Sequence, residues 1–188
     1  MSKDPIEHLD DDSLVDKIVQ TKDQYLFGVL YDRYADVIYN KCWSFVEDKE
    51  EAHDMTHDIF VKLFLKLRTY QAKSKFSTWL YSFVYNFCIN HIQRKLNKDH
   101  KQYSVTEDLL ENYEDDEVDD KEIFELKVEK LNYSLAKLDV EDKSILLMKY
   151  QDDFSIKDLS NALEIGESAT KMRLNRAKNR LLNIYKEL

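Results

Sequence analysis

Residues Phe154 to Leu182 read FSIKDLSNALEIGESATKMRLNRAKNRLL, and their pattern decides the fold of the second half of the chain. Ile156, Leu159 and Leu163 recur at helical spacing. The pattern breaks at Glu164-Ile165-Gly166, and Thr170, Leu174, Ala177 and Leu181 then line one face of a second helical segment. Gly166 is one of only two glycines, and glycine suits a sharp turn. Glu167 stands in the first turn of the second segment, where a carboxylate complements the helix dipole. The opposite face carries Lys171, Arg173, Asn175, Arg176, Lys178 and Arg180. A short helix, a turn and a basic second helix describe a helix-turn-helix, whose second helix enters the DNA major groove. The alternative is an ordinary helical hairpin with a solvated basic face.

The rest of the chain is equally free of breakers. Its 188 residues contain Gly28, Gly166 and Pro5 and no other glycine or proline, so long helices are expected rather than short strands. The net charge of −9 argues against nucleic acid until its distribution is read. From Lys62 to Lys101 there are nine Lys/Arg against one Asp, and from Glu107 to Glu129 twelve Asp/Glu against two Lys. The acidity lies between two basic blocks. Cys42 and Cys88 are far apart and in no ligand spacing, so both read as buried thiols. There is no signal peptide and no membrane-length apolar run, which points to the cytoplasm without membrane insertion.

Ser13 is the expected cap of a first short helix. Leu26, Phe27, Leu30, Tyr34, Val37, Ile38 and Cys42 predict one long helix or two abutting ones between Asp23 and Val46. Asp48–Leu67 has acids early and lysines late, the order that suits a helix dipole, with Ala52, Met55, Ile59, Leu63 and Lys66 on one face. His53 and His57 share a face, as in an HExxH zinc motif. The residue after the first histidine is Asp54, however, and no third ligand is evident. In YQAKSKFSTWLYSFVYNFCINHIQRKLNKDHK, Tyr70–Lys101, the aromatics at 79, 81, 83, 85 and 87 alternate as in a strand. The run is too long for one, and Leu80, Val84, Phe87, Cys88 and Ile92 predict a helix with Ser77 as its N-cap. Aromatics among lysines and arginines make a surface that stacks unpaired bases and holds phosphate. Ser104–Asp120 has few apolar anchors and reads as a flexible linker. Helical periodicity resumes at Lys121, with Asp139 a further N-cap. The expected fold is all-α: a helical domain over 10–100, an acidic linker over 101–121 and a four-helix domain over 122–188 that ends in the helix-turn-helix.

These stretches together resemble the extracytoplasmic-function sigma factors of the sigma-70 family of bacterial RNA polymerase. FGVLYDRYADVIYNKCWSF, Phe27–Phe45, is similar to the family's first conserved segment. EEAHDMTHDIFVKLF, Glu50–Phe64, resembles DAEDLxQExFxxLW, with His53 where an acid is usual and His57 where Gln is usual. FSTWLYSFVYNFCINHIQRK, Phe76–Lys95, resembles the next segment. Lys171, Arg173, Leu174, Arg176 and Ala177 fit the closing KSRLxRA pattern, preceded by Glu164 where the family has its turn glycine.

The resemblance implies a promoter-specificity subunit with no catalytic residue, metal or cofactor. Its partners would be core bacterial RNA polymerase and promoter DNA, both duplex and single-stranded, with an anti-sigma factor as a candidate partner and a monomer expected outside the holoenzyme. It places the clamp contact at Asp54, His57, Asp58 and Phe60. Reading of the −35 element falls to Glu167, Ser168, Lys171, Met172, Arg173, Asn175, Arg176 and Lys178. Melting at the −10 element falls to Lys73, Lys75, Phe76, Ser77, Trp79, Asn86 and Arg94. Chemically, Arg173 and Arg176 can bridge guanine O6 and N7, Asn175 can read adenine, and Lys171 and Lys178 suit phosphate. The acidic linker, with Asp115, Asp116, Asp119 and Asp120, either mimics nucleic acid in the polymerase's RNA path or is a solvated tether. Two other classes stay open on the residues alone. A helix-turn-helix regulator acting without polymerase would leave the basic aromatic stretch unused, and a zinc hydrolase would rest on His53 and His57.

Overall fold

The computed structural model describes residues 9–99 and 118–188, and the secondary structure of both stretches is helical. The elements are α1 (Asp11–Thr21), α2 (Gln24–Val46), α3 (Lys49–Lys66), a 3₁₀ turn at Leu67–Thr69, α4 (Phe76–Asp99), α5 (Asp120–Phe124), α6 (Val128–Lys137), α7 (Val140–Tyr150), α8 (Ile156–Leu163) and α9 (Glu167–Glu187). The chain divides into two compact units between Cys88 and Ile89, inside α4. Most of the acidic stretch, residues 101–117, lies outside the described residues, and the expectation of a linker or nucleic-acid mimic there lies outside them too.

In the first unit, aspartates set the helix starts. The carboxylates of Asp10, Asp23 and Asp48 accept the backbone N–H groups of Ser13, Tyr25 and Glu51, each at 2.8 Å. Asp10 therefore caps α1 where Ser13 was expected to. Ser13 is instead the third helical residue and donates its hydroxyl to Asp10 as well (3.1 Å). α2 is one continuous helix. α4 starts at Phe76, with the Trp79 N–H bonded to the Lys75 carbonyl, so Ser77 is already inside the first turn rather than at the cap.

Leu14, Ile18, Leu30, Ile38, Met55, Ile59, Leu63, Leu80 and Val84 form one apolar core with Phe76. Each such side chain contributes about 1.5–3 kcal/mol by leaving water. Lys66, which tracks the α3 face in sequence, is exposed, and Leu67 completes the stripe. Cys42 and Cys88, 46 positions apart, are neighbouring buried thiols in this core. The Cys42 thiol beside it, with burial, raises the Cys88 pKa well above its ordinary value.

In the second unit α9 packs against α6, α7 and α8. Ile145, Leu146, Met148, Phe154, Leu159, Leu174, Ala177, Leu181 and Leu182 are buried. Asp139 caps α7, and Ser155 with Asp158 forms a capping box on α8. The periodicity from Lys121 to Leu138 is interrupted at Glu125–Lys127, so it yields two helices, α5 and α6.

The turn between α8 and α9 uses its residues in an unexpected order. Glu164 takes the left-handed conformation (φ 55°, ψ 35°), and its N–H bonds to the Ser160 carbonyl. The Ser160 hydroxyl closes the turn on the Ile165 carbonyl at 2.5 Å. Gly166 has φ −66° and ψ 153°, which any residue adopts. The sharp turn therefore rests on Glu164 and the bonds to Ser160 rather than on the glycine.

Candidate nucleic-acid interface

α9 offers less free charge than its sequence suggests. Glu167, Ser168, Lys171, Met172 and Arg176 are exposed, Met172 at 60%. Arg173 is half-buried and ion-paired with Glu141 of α7. Arg180 reaches Asp142 at 2.7 Å and Asp139 at 3.3 Å. Lys178 is only 8% exposed. It donates to the Val118 carbonyl (2.5 Å) and the Asp120 carboxylate (3.1 Å), while Asn175 accepts the Val118 N–H through Oδ1 (3.1 Å). Lys178, expected to hold phosphate, is thus a structural cation, because its charge is paired before any DNA arrives. Asn175, expected to read adenine, has its side-chain oxygen turned to residue 118.

These contacts also correct the expected linker. Val118 and Asp120, inside its expected bounds, are packed rather than free. Val118 is buried, Asp119 caps α5, and Asp120 accepts from Tyr150 at 2.6 Å. The Tyr150 hydroxyl, helped by Lys178, holds the Asp120 carboxyl below its ordinary pKa. Burial raises that of Asp142, and Arg180 opposes the rise.

The loop before α4 presents Lys73 and Lys75, both exposed, just after a left-handed Ala72 (φ 51°). Phe76, expected to stack on a base, is 1% exposed. Its ring packs against Tyr34 (5.7 Å between centroids), Tyr70 (5.4 Å) and Trp79 (5.8 Å). It is core because the first turn of α4 points inward there. Ser77 and Trp79 are half-buried, and Asn86 and Arg94 are exposed further along α4.

The sequence reading missed a strip on α4. Trp79 and Phe83 lie parallel, 6.3 Å apart with 10° between planes. Lys66 sits over Phe83 (5.6 Å) and Lys62 over Phe87 (4.4 Å). The i, i+4, i+8 spacing of the three aromatics, with lysines four apart on α3, was the available signal.

On α3, Asp54, His57 and Asp58 are exposed. Phe60, expected at the surface with them, is 4% exposed and seated against Tyr31 (4.3 Å) and Phe27 (6.4 Å). The apolar groups that do reach solvent here are Tyr31, Val61, Phe64 and Leu65. Residues 59–65 are apolar on more than one face, a signal that the core stripe alone does not explain. His53 rests on the Tyr39 ring (4.5 Å), and among the described residues no third metal-ligating side chain joins it and His57.

The family model for sigma-70 region 2 matches residues 30–97, and that for sigma-70 region 4 matches residues 128–181. The chain belongs to the sigma-70 family. It is an RNA polymerase sigma factor of the extracytoplasmic-function type. It is 25% identical to the ECF RNA polymerase sigma factor SigW of Bacillus subtilis over 92% of this chain and 95% of that one. It is 25% identical to the RNA polymerase sigma-H factor of Pseudomonas aeruginosa over 89% and 90%.

The fold of the sigma factor is similar to CnrH, solved in complex with the cytosolic domain of CnrY (TM-score 0.60, 16% identity, 93% of this chain and 96% of that one). It is also similar to the sigma factor RpoE of Bartonella quintana, solved with the anti-sigma factor NepR (TM-score 0.59, 17% identity, 85% and 96%). α1 and the segment Val118–Phe124 of the sigma factor fall outside both matched regions. No described helix is long and apolar enough to cross a membrane.

Proposed function

We propose that this sigma factor directs core polymerase to promoters by dividing the DNA between its two units. The exposed edge of α9, Glu167, Ser168, Lys171, Met172 and Arg176, reads the −35 duplex, with Arg173 set in place by Glu141. Lys73, Lys75, the half-buried Ser77 and Trp79, and the exposed Asn86 and Arg94 hold the opened −10 strand. Asp54, His57 and Asp58, with the apolar groups beside them, dock on the polymerase. One observation supports this reading above the others: an exposed, partly cationic recognition-helix edge occurs in the same chain as a separate lysine loop beside part-exposed aromatics. The first suits duplex DNA and the second an unpaired strand.

The cytoplasm is the proposed location. An anti-sigma protein is a proposed partner, on the strength of RpoE having been solved with one. Transcription from a mixed promoter library with purified core polymerase, with and without the protein, tests the reading. Start sites that appear only with the protein, sharing two upstream elements, are expected. A shift of duplex DNA by the protein alone, with no new start sites, would overturn it.

A further inference from the structure

The loop that carries Lys73 and Lys75 is only a few residues long, and it is tied at one point to a helix outside both family matches. Tyr70 closes the 3₁₀ turn, its N–H bonded to the Leu67 carbonyl at 3.0 Å. Its hydroxyl lies 2.5 Å from Asp12 Oδ1, in the first turn of α1, and 2.6 Å from the Ser74 carbonyl, inside the loop. The single O–H proton serves one acceptor at a time, and both stand ready. The Tyr70 ring meets Phe76 and Trp79, each at 5.4 Å between centroids. α1 is itself fixed, because Asp11 pairs with Arg33 (2.8 Å) and accepts from Tyr34 (2.5 Å), and Leu14, Val15 and Ile18 are buried. Burial and the Asp12 carboxylate raise the Tyr70 pKa above its ordinary value.

We propose that Tyr70, anchored by Asp12 of α1, is a positioning residue that sets the loop of Lys73 and Lys75 and the head of α4 against the −10 strand, and so shapes base preference there. The geometry is a brace. The hydroxyl sits between the Asp12 carboxylate and the Ser74 carbonyl, which lies between the two lysines, and shares its one proton between them, while the ring holds Trp79. Loss of either end frees the loop without emptying the core, since Asp12 is exposed and Tyr70→Phe keeps the ring. This inference rests on the reading that the loop meets the −10 element.

The test uses holoenzyme reconstituted from core polymerase and full-length Tyr70→Phe, Asp12→Ala, the double variant, and Lys73→Ala/Lys75→Ala. Base preference at each −10 position is read from a randomised promoter library, and strand opening by permanganate. Both single variants are expected to flatten the −10 preference and reduce opening about tenfold, the scale of one hydrogen bond to a charged group, with −35 preference unchanged. The double variant is expected to be no worse than either single one, as for two ends of one contact. A preference profile like that of the unaltered protein in Tyr70→Phe and Asp12→Ala would overturn the brace. So would reduced opening with the profile unchanged, which is what a merely structural role gives. If the lysine variant opens promoters normally, the placement of the loop at the −10 element fails. If that variant is defective while both brace variants are normal, the placement stands and the brace alone falls.

Discussion

The recognition helix and the loop before α4 are both basic in sequence, yet they hold their charge differently. On α9, Arg173, Lys178 and Arg180 each face a carboxylate from another element of the same unit, so Lys171 and Arg176 are left as the exposed cations of its first half. In the loop, Lys73 and Lys75 stand exposed, and the aromatics beneath them do the packing. A long helix laid across three others has neighbours to pair with along its length, and a short surface loop has few. Counting Lys and Arg overstates the exposed charge of the helix and describes that of the loop fairly.

The largest expected effect tests whether Phe76 belongs to the core or to the DNA. Phe76→Ala should lower unfolding free energy by about 3–5 kcal/mol, as for other buried aromatics, measured by denaturant titration. Trp79→Ala should cost clearly less. Equal, small losses would return Phe76 to the list of candidate DNA contacts.

Next comes the split within α9. Arg176→Ala should weaken −35 duplex binding by about 1–3 kcal/mol and relax preference at one base pair, if it makes a bidentate guanine contact. Lys171→Ala should reduce the salt slope of binding by about one, the signature of a single lost phosphate contact. Lys178→Met, by contrast, should leave the salt slope unchanged and loosen residues 118–120, read as faster amide exchange at Val118. A salt slope that falls in Lys178→Met as much as in Lys171→Ala would break the comparison, because it would place Lys178 on phosphate.

The smallest effect is on acid stability. Asp120 has a folded-state pKa below its ordinary 3.8, so its contribution is complete above 3.8 and is lost as pH falls through the lowered value. Asp142 is shifted upward. Its contribution is present below 3.8 and is lost as pH rises through the raised value. Asp120→Asn should therefore flatten the acid limb of the stability–pH profile below about pH 4, and Asp142→Asn should flatten the loss on the way up from there. Thermal midpoints across pH 2–6 check both signs.

Much of this was legible in the residues. The long breaker-free runs and the 3- and 4-residue apolar spacing placed α2, α3, α4, α8 and α9, because burying one stripe of a helix is a local pattern. Asp23 and Asp48 each precede a helix whose exposed N–H groups they cap, yet the sequence reading named only Asp139 of this type. The expected glycine turn is a different case. Gly166 is permissive, but permission is not use, and the bonds of Ser160 to Glu164 and Ile165 decided which residue turned. The spacing of the aromatic-rich start of α4 marks it as helix, but which ring faces inward depends on Tyr34 and Tyr70, 42 and 6 positions away.

The sequence by itself determined the helical class, the helix-turn-helix and the two basic blocks, since each rests on spacing within one segment. Only the tertiary structure decided which cations of α9 remain exposed, that Phe60 and Phe76 are core, and that Cys42 neighbours Cys88. It alone joined Val118–Asp120 to α9 and Asp12 to Tyr70. Those contacts span 57 to 60 positions of chain. Their partners are chosen by packing and by the cost of leaving a part-buried charge or hydroxyl without a partner, which no local pattern records.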